Sequence, residues 1–185
     1  MRQQETFPIA RMDGPAAAQV EDAFRLIYAE AFAESPYNET EDEVAAAFRH
    51  FPAQARKHTF RAALARTDDG EPVGMAYGFP LDPDTGWWDE LTEPVSDDLR
   101  REDGLRTFGL MELAVRGPWR GQGIARRLHE TLLDSMEAER VLLNVHPGGK
   151  AASAAYRAWG YRKIGEARPW GTGEDLHDVM ILDLH

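Results

Sequence analysis

The 185-residue sequence has no cysteine, few basic residues relative to acidic ones, and no long run of apolar residues. The lack of cysteine excludes disulfide bonds, cysteine nucleophiles and cysteine-ligated zinc. No apolar stretch approaches the roughly 18 residues that a membrane-spanning helix needs, and residues 1–6 lack the apolar segment of a secretion signal. We therefore expect a cytoplasmic protein with no membrane partner.

The scarcity of basic residues also bears on partners. Twenty-one basic residues stand against 32 acidic ones, which gives a formal net charge of −11. Such a chain repels a phosphate backbone, so we expect no nucleic-acid partner, and it attracts cationic molecules instead. With 43% hydrophobic residues the chain can bury a core without disulfides or a structural metal. Its length predicts a single domain over residues 1–185.

The acidic residues concentrate in one segment. Residues 82–104 carry −7 of the net charge of −11 and also contain several prolines and glycines. This composition favours a loop over a strand or a long helix. We predict an insertion at about residues 81–106, between the third and fourth strands. It is either a solvated surface segment or an acidic, aromatic-bearing rim of a substrate site, because long loops in compact domains are often functional.

Hydrophobic periodicity and turn residues predict the element order β-αα-ββ-β-α-β-α-β-β, a mixed α/β fold. The predicted strands are residues 7–12, 59–66, 71–79, 108–115, 140–145, 161–168 and 177–184. The predicted helices are residues 16–33, a second one that begins at the capping pair Thr40 and Glu43, residues 121–138 and residues 151–159. Pro52 weakens any continuation of the second helix.

Residues 116–125 join the fourth predicted strand to an amphipathic helix. Gly121 and Gly123 allow the backbone to approach a ligand closely, and the N–H groups that open the helix lack partners within it. The helix dipole adds positive potential, so the segment predicts a phosphate or pyrophosphate site. Three arginines strengthen this prediction: Arg120, Arg126 and Arg127. The alternative is an ordinary strand-to-helix turn.

Two other phosphate motifs do not fit this loop. A P-loop needs Lys followed by Ser or Thr after its last glycine, whereas Ile124 and Ala125 stand here. A dinucleotide fingerprint places a third glycine where this chain has Arg126. We therefore predict neither of these two kinds of site.

The segment Arg120-x-x-Gly123-x-Ala125 resembles the Q/R-x-x-G-x-G/A motif of the GCN5-related N-acetyltransferase (GNAT) superfamily. The preceding residues 112–115 are similar to the fourth strand of that family. The resemblance implies a GNAT fold, with a mixed central sheet of about six to seven strands flanked by four helices. It also implies an acyl-CoA-dependent N-acetyltransferase.

A second segment extends the resemblance. Ala152, Tyr156 and the pair Gly160-Tyr161 are similar to the family's N-x-x-A-x-x-x-Y-x-x-x-G-F pattern, at the same spacing. The pattern's usual Asn is replaced by Gly149 here, and Lys150 or Ser153 are candidates to compensate for it. Together the two segments cover residues 108–165.

The resemblance implies acetyl-CoA as the co-substrate and no metal. The amides of residues 122–125 would hold its pyrophosphate, with Arg120 beside it, and main-chain groups of Leu113 and Val115 would pair with its pantetheine arm. The predicted cofactor-binding residues are Leu113, Val115, Arg120, Gly121, Gln122, Gly123, Ile124, Ala125, Arg126 and Ser153.

Three residues are candidates for the chemistry. Without cysteine an acyl-cysteine intermediate is impossible, so we expect direct transfer in a ternary complex. Tyr156 matches the tyrosine that protonates the departing CoA thiolate in the family; its alternative is a core aromatic. Glu112 is the candidate base, because burial in an apolar strand raises the pKa of a carboxyl group; its alternative is an outward-facing carboxylate. His146 is the competing base, since histidine titrates near neutral pH; its alternative is a loop histidine.

Aromatic residues in predicted loops are candidates for an acceptor-binding wall: Tyr37, Trp87, Trp88 and Trp170. Each ring could bind a cation with roughly 0.5–2 kcal/mol, and local packing is the alternative for each. We predict an N-acetyltransferase that acts on a primary amine of a small, cationic molecule. The alternatives are a protein or peptide N-acetyltransferase and a non-catalytic acyl-CoA sensor. The expected partner is thus a small-molecule or peptide amine, and a homodimer is the candidate assembly.

Overall fold

A computed structural model describes residues 6–169 and 175–185 of the chain. The strands are β1 (Ile9–Met12), β2 (Arg61–Arg66), β3 (Pro72–Pro80), β4 (Thr107–Val115), β5 (Arg140–Val145), β6 (Arg162–Ala167) and β7 (His177–Asp183). The helices are α1 (Gly14–Gln19), α2 (Glu21–Ala33), α3 (Glu41–Arg49), α4 (Phe51–Ala55), α5 (Asp97–Arg100), α6 (Ile124–Leu133) and α7 (Lys150–Ala158). The strands form an open seven-stranded sheet in the order β1-β2-β3-β4-β5-β7-β6. The predicted mixed α/β fold is confirmed.

The chain divides into two compact units. The first contains the described residues up to Phe79 together with residues 111–136, and the second contains residues 80–110 and the described residues from 137 onwards. In the first unit, β2 pairs antiparallel with β1 and with β3. In the second unit, the start of β4 pairs parallel with β5, and β7 pairs antiparallel with both β5 and β6.

The core of the first unit is built on aromatic rings. Helical spacing directs Phe24 of α2 and Phe48 of α3 inward, and both are buried with Phe51 of α4. The Phe51 ring lies 5.5 Å from that of Phe24 and 5.2 Å from that of Tyr77 on β3. Edge and offset contacts of this kind add to the free energy gained from burying the rings. This packing fixes α2 and α4 against β3.

Most predicted element ends are where capping residues place them. The Thr40 hydroxyl accepts a hydrogen bond from the Glu43 N–H at 3.2 Å, so α3 begins as predicted. Pro52 lies in the first turn of α4, where its missing N–H costs nothing; the chain therefore resumes a short helix there. Gly160, with φ of +102°, ends α7. None of the described helices is long and apolar enough to cross a membrane.

The predicted helix 16–33 is wrong in one respect, because Val20 (φ −120°) divides it into α1 and α2. A tertiary contact explains the break. Gly14 packs so closely on α4 that a Cβ at this position would collide with the Ala55 carbonyl oxygen. The Asp13 carboxylate accepts a hydrogen bond from the Ala16 N–H and fixes the start of α1. The direction of α1 is thus set by packing on α4, and α2 takes a different direction.

The predicted helix 121–138 is also too long, because α6 covers only residues 124–133. At its start, Gly121 and Gly123 have φ of +78° and +79°, which is not helical. At its end, Ser135 has φ of +58°, and the Arg61 guanidinium binds the Leu132 and Asp134 carbonyl oxygens that helix continuation would have used. Met136, which falls within the predicted range, therefore lies outside the helix.

Candidate active site

Glu112 lies on β4 in the first unit. Burial, and secondarily the negative charge of Glu39, raises the pKa of its carboxyl group from 4.5 to about 8. By solvent accessibility Glu112 is half-buried, and loss of solvation at its carboxyl group is the main cause of this raised pKa. A carboxylate with a pKa near 8 is a far stronger base than an ordinary glutamate.

Three tyrosines and Glu39 interact electrostatically with this carboxyl group. We call Glu39, Glu112, Tyr28, Tyr37 and Tyr77 the carboxylate–tyrosine cluster. The pKa of each tyrosine hydroxyl is raised, first by burial and then by the negative charge of Glu112. The Tyr28 hydroxyl donates a hydrogen bond to Glu39 Oε1 at 2.9 Å. The pKa of Glu39 is also raised, mainly by burial. The cluster thus combines three phenols with two carboxyl groups, and the pKa of every member is raised.

Sequence reasoning identified Glu112 and Tyr37 in this cluster but missed Tyr28, Glu39 and Tyr77. Tyr28 follows Phe24 by one helical turn, so the apolar stripe of α2 could have placed it on the inner face. Glu39 lies in the loop before α3, and only the tertiary fold shows its interaction with Glu112.

The predicted phosphate-binding loop has the backbone that its glycines suggest. Gly121 and Gly123 both take left-handed φ values, and a Cβ at either position would meet no atom within 4 Å. Gly123 caps the start of α6, and no side chain accepts a hydrogen bond from the first turn of that helix. The N–H groups of the first turn are therefore available to an anion.

The arginines of this loop are less available than the sequence suggests. The buried Arg116 guanidinium donates to Glu30 at 2.6 and 2.9 Å and to Glu71 at 2.9 Å. It also lies over the Trp119 ring at 4.9 Å. Arg116 thus holds the loop against α2 and the start of β3, and its charge is compensated by two carboxylates.

Arg120 and Arg126 are also ion-paired. The Arg120 guanidinium donates to Glu34 at 2.7 Å and to the Val115 carbonyl oxygen at 2.9 Å, and Arg126 pairs with Glu130 at 3.0 Å. The Val115 carbonyl predicted to contact pantetheine therefore already accepts a hydrogen bond. Of the predicted arginines, Arg127 has no ion pair with the described residues and is exposed.

Tyr156 and Ser153 lie on α7 in the second unit. The Tyr156 ring is 8% exposed and makes edge contacts with the rings of Trp159 at 5.6 Å and Tyr161 at 5.3 Å. The Ser153 hydroxyl is buried and has no hydrogen-bond partner within the described ranges. Gly149 caps the start of α7 without a side-chain hydrogen bond. A buried hydroxyl without a partner is unfavourable unless a ligand or water satisfies it, which fits Ser153 as a ligand contact.

His146 follows β5 in the second unit. Its Nδ1 accepts a hydrogen bond from the Gly148 N–H at 2.9 Å, so the neutral ring carries its proton on Nε2. Its ring packs edge-on against that of His177 at 5.3 Å. With Nδ1 occupied and Nε2 protonated, the ring offers a hydrogen-bond donor rather than a base, which fits the loop-histidine alternative.

The aromatic residues predicted to bind the acceptor have different environments. Tyr37 belongs to the carboxylate–tyrosine cluster. Trp88 is only 4% exposed, its indole N–H donates to Glu102 at 2.8 Å, and the Arg140 guanidinium lies over its ring, so it is a packing residue. Trp87 is partly exposed, and its buried indole N–H has no partner in the described part of the chain. Trp170 lies outside the described residues.

The acidic segment 81–106 connects β3 to β4, with a short 3-10 turn at Trp87–Glu90 and the helix α5. Its backbone is joined to the end of β6, where the Thr92 N–H donates to the Glu166 carbonyl oxygen at 2.8 Å. Part of its negative charge is structural: Glu102 pairs with Arg140, and Asp103 accepts two backbone N–H groups. The described residues contain no group of three or more His, Cys, Asp or Glu side chains that could hold a metal ion.

Several solved structures with similar folds are described as acetyltransferases. The structure is similar to the ribosomal-protein-S18-alanine N-acetyltransferase from Escherichia coli, with a TM-score of 0.62 at 18% identity over 96% of this chain and 94% of that chain. It is also similar to the GNAT family N-acetyltransferase YhbS from Escherichia coli in complex with CoA, with a TM-score of 0.59 at 19% identity over 100% of this chain and 85% of that one. A third similar structure is the NatC complex bound to Gag peptide and CoA, with a TM-score of 0.62 at 16% identity over 97% of this chain and 99% of that chain.

These TM-scores show that the chain has the GNAT fold, as the motifs predicted. No curated protein sequence matches the chain. A sequence model of the Acetyltransferase (GNAT) family, however, matches residues 19–161, which is most of the chain. The chain therefore belongs to the acetyltransferase (GNAT) family.

Proposed function

We propose that the protein transfers the acetyl group of acetyl-CoA directly to a primary amine of a small cationic molecule. The observation that carries this proposal is the Glu112 carboxyl group on β4, whose pKa of about 8 suits it to remove a proton from an ammonium group. The negative charge of Glu39 in the same carboxylate–tyrosine cluster acts on Glu112 and favours a cationic ligand.

The reaction proceeds through proton removal, attack and thiolate release. The Glu112 carboxylate takes a proton from the ammonium group, and the freed amine lone pair attacks the thioester carbonyl carbon. The tetrahedral adduct loses its second N–H proton to solvent, the C–S bond breaks, and the thiolate of CoA takes a proton. Tyr156 is the proposed donor of that proton, on the basis of the family pattern. His146 is not assigned a role as base, because its Nδ1 already accepts the Gly148 N–H.

Acetyl-CoA binding is assigned to the loop before α6. The left-handed Gly121 and Gly123 and the uncapped first turn of α6 present backbone N–H groups, which suit the pyrophosphate. Arg127, which is exposed and has no ion pair among residues 6–169 and 175–185, adds positive charge. Ser153 and Leu113 remain the proposed contacts to the pantetheine arm.

Replacing Gly123 with alanine is expected to raise the Kd for CoA by about five- to 30-fold, because a left-handed φ costs an alanine about 1–2 kcal/mol and the loop would leave this conformation. The matched control is Gly70→Ala in the β2–β3 turn, where φ is +89° and the Cβ is equally free of contacts. Both variants should lose similar stability in thermal unfolding. Equal CoA affinity of the two variants by calorimetry would contradict the assignment of the loop.

The activity itself is tested by thiol release from acetyl-CoA over a panel of amines. The panel contains diamines, amino sugars, monoamines, and peptides with either a free N-terminus or an internal lysine. We expect thiol release with compact cationic amines and an acetylated product detected by mass spectrometry. Release with peptides alone would favour a protein N-acetyltransferase. CoA binding without thiol release from any amine would instead identify an acyl-CoA sensor.

A further inference from the structure

Glu39 has one carboxylate oxygen that the fold leaves without a partner. Its Oε1 accepts the Tyr28 hydroxyl at 2.9 Å. Its Oε2 is buried and receives no hydrogen bond from the described residues. A buried carboxylate oxygen without a hydrogen-bond donor raises the free energy of the folded protein. A ligand that supplies the donor removes this cost and therefore binds more tightly.

The position of this oxygen is fixed. The Glu39 N–H donates to the Phe32 carbonyl oxygen at 2.8 Å, which holds its backbone to the end of α2. The Tyr28 ring that binds the side chain packs against the rings of Phe32 at 4.5 Å and Phe48 at 5.4 Å. Glu39 is thus held at both backbone and side chain, and Oε2 needs little reorganisation to bind a ligand.

Glu39 and Glu112 are suited to two different nitrogens. The nitrogen that attacks the thioester must be neutral, so its interaction with Glu112 ends when its proton has moved. An oxygen such as Glu39 Oε2 gains most from a nitrogen that keeps its charge, because charge-assisted hydrogen bonds are the strong ones. A molecule with a single amine loses its charge at Glu112 and then has no charged nitrogen left for Glu39.

We propose that Glu39 Oε2 binds a second, protonated nitrogen of a diamine acceptor, while the other amine of that molecule is deprotonated at Glu112. This assignment rests on the proposed acetyl transfer and makes Glu39 a specificity-determining residue. The Tyr28 hydroxyl positions the carboxylate.

The test uses Glu39→Gln, which preserves the shape of the side chain and removes its charge. The matched control is Glu43→Gln, an exposed residue on the first turn of α3 whose charge also acts on Glu39. The two probes are linear diaminobutane, with an amine at each end, and pentylamine, in which a methyl group replaces one amine. Each variant is measured for the Kd of both probes in the presence of CoA, by calorimetry, and for kcat/KM with acetyl-CoA.

For Glu39→Gln we expect the Kd of diaminobutane to rise by about ten- to 100-fold, the loss of one hydrogen bond to a charged group. The Kd of pentylamine should change by less than about threefold. Because the charge of Glu39 also raises the pKa of Glu112, kcat/KM should change for both probes, and it should fall further for diaminobutane. Glu43→Gln should change the Kd of neither probe by more than about threefold, as for an exposed charge. The Kd for CoA and the melting temperature serve as controls for folding.

Several results would overturn the proposal. The first is an equal rise in the Kd of both probes for Glu39→Gln. The second is an unchanged Kd of diaminobutane for that variant, and the third is an equal rise in the Kd of diaminobutane for Glu43→Gln. The proposed acetyl transfer fails separately. If no amine releases thiol but Glu39→Gln still weakens diaminobutane binding selectively, the diamine site stands and the transfer does not. If both probes are acetylated and Glu39→Gln affects neither, the transfer stands and the diamine site does not.

Discussion

Replacing Glu112 with glutamine is expected to lower kcat by about 10²- to 10⁴-fold, the usual contribution of a well-placed general base. Glutamine keeps the shape and hydrogen-bonding capacity of the side chain but cannot take a proton. The Kd for acetyl-CoA should stay within about threefold, because Glu112 acts on the amine and not on the co-substrate. Steady-state kinetics with a turned-over amine, together with calorimetry of CoA binding, checks both values.

The pH dependence gives a second signature of the same residue. Glu112 is active when it is deprotonated, so kcat of the wild type should rise with pH and level off above its pKa of about 8. This rising limb should be absent from Glu112→Gln. A variant that keeps the limb, or that loses less than tenfold in kcat, would assign the proton transfer to another group.

Glu112→Gln should also change stability in the opposite direction to activity. The folded-state pKa of about 8 lies above the ordinary value of 4.5, so the folded protein holds a proton that the unfolded chain loses in this range. The stability that Glu112 contributes is therefore complete below about pH 4.5 and is lost as the pH rises through about 8. We expect the variant to have a higher melting temperature than the wild type at about pH 9, above the raised pKa of about 8. At about pH 5, near the ordinary pKa of 4.5, the two melting temperatures should differ little. The exposed Glu137→Gln is the control and should show no such pH-dependent difference.

Replacing Arg140 with alanine is expected to destabilise the protein by about 3–5 kcal/mol, the cost of leaving a buried charge without its partner. The side chains of Arg140 and Glu102 are only 4% and 1% exposed and are 3.3 Å apart. Arg140 also donates to the Thr107 hydroxyl at 2.8 Å and to the Leu99 carbonyl oxygen at 2.6 Å. Its loss would leave all three oxygen atoms without this donor.

The matched control for Arg140 is Arg162→Ala. Arg162 pairs with Asp183 at 3.5 Å, and both side chains are 61% exposed, so this substitution should cost less than about 1 kcal/mol. Urea unfolding measures both free energies. A second test is the double variant Arg140→Met with Glu102→Met, which removes both charges and should be less destabilised than Arg140→Ala. Equal destabilisation by the two arginine substitutions would show that burial of the Arg140 pair carries no special cost.

The sequence was sufficient for features that depend on local patterns. The period of apolar residues predicted the strands, the Thr40 cap predicted the start of α3, and a carboxylate in an apolar strand predicted the raised pKa of Glu112. Each of these depends on residues that are neighbours in the chain. The family motifs added the loop before α6, and its left-handed glycines have the φ values that such a turn requires.

The features that the sequence did not predict depend on pairs distant in the chain. Arg120 was counted among the positive charges of the phosphate site, but Glu34, which follows the last residue of α2, pairs with it. Trp88 was predicted to line a substrate site, but Arg140 and Glu102 enclose it. No local pattern specifies such partners, because many carboxylates of this acidic chain could have served. For the same reason, no local pattern predicted that Glu39 interacts with Glu112.

The pairing of the loop with α2 has a consequence for the order in which the chain acquires its structure. The last turn of α2 has no basic residue, and Glu30 and Glu34 stand at the end where the helix dipole is negative. The positive charges that pair with Glu30 and Glu34 belong to Arg116 and Arg120, each 86 residues further along the chain than its partner. Contacts of such high contact order form late, because a long loop must first be closed. The end of α2 is therefore expected to fray in an isolated fragment and to gain its protection from hydrogen exchange only once β4 and its following loop have docked.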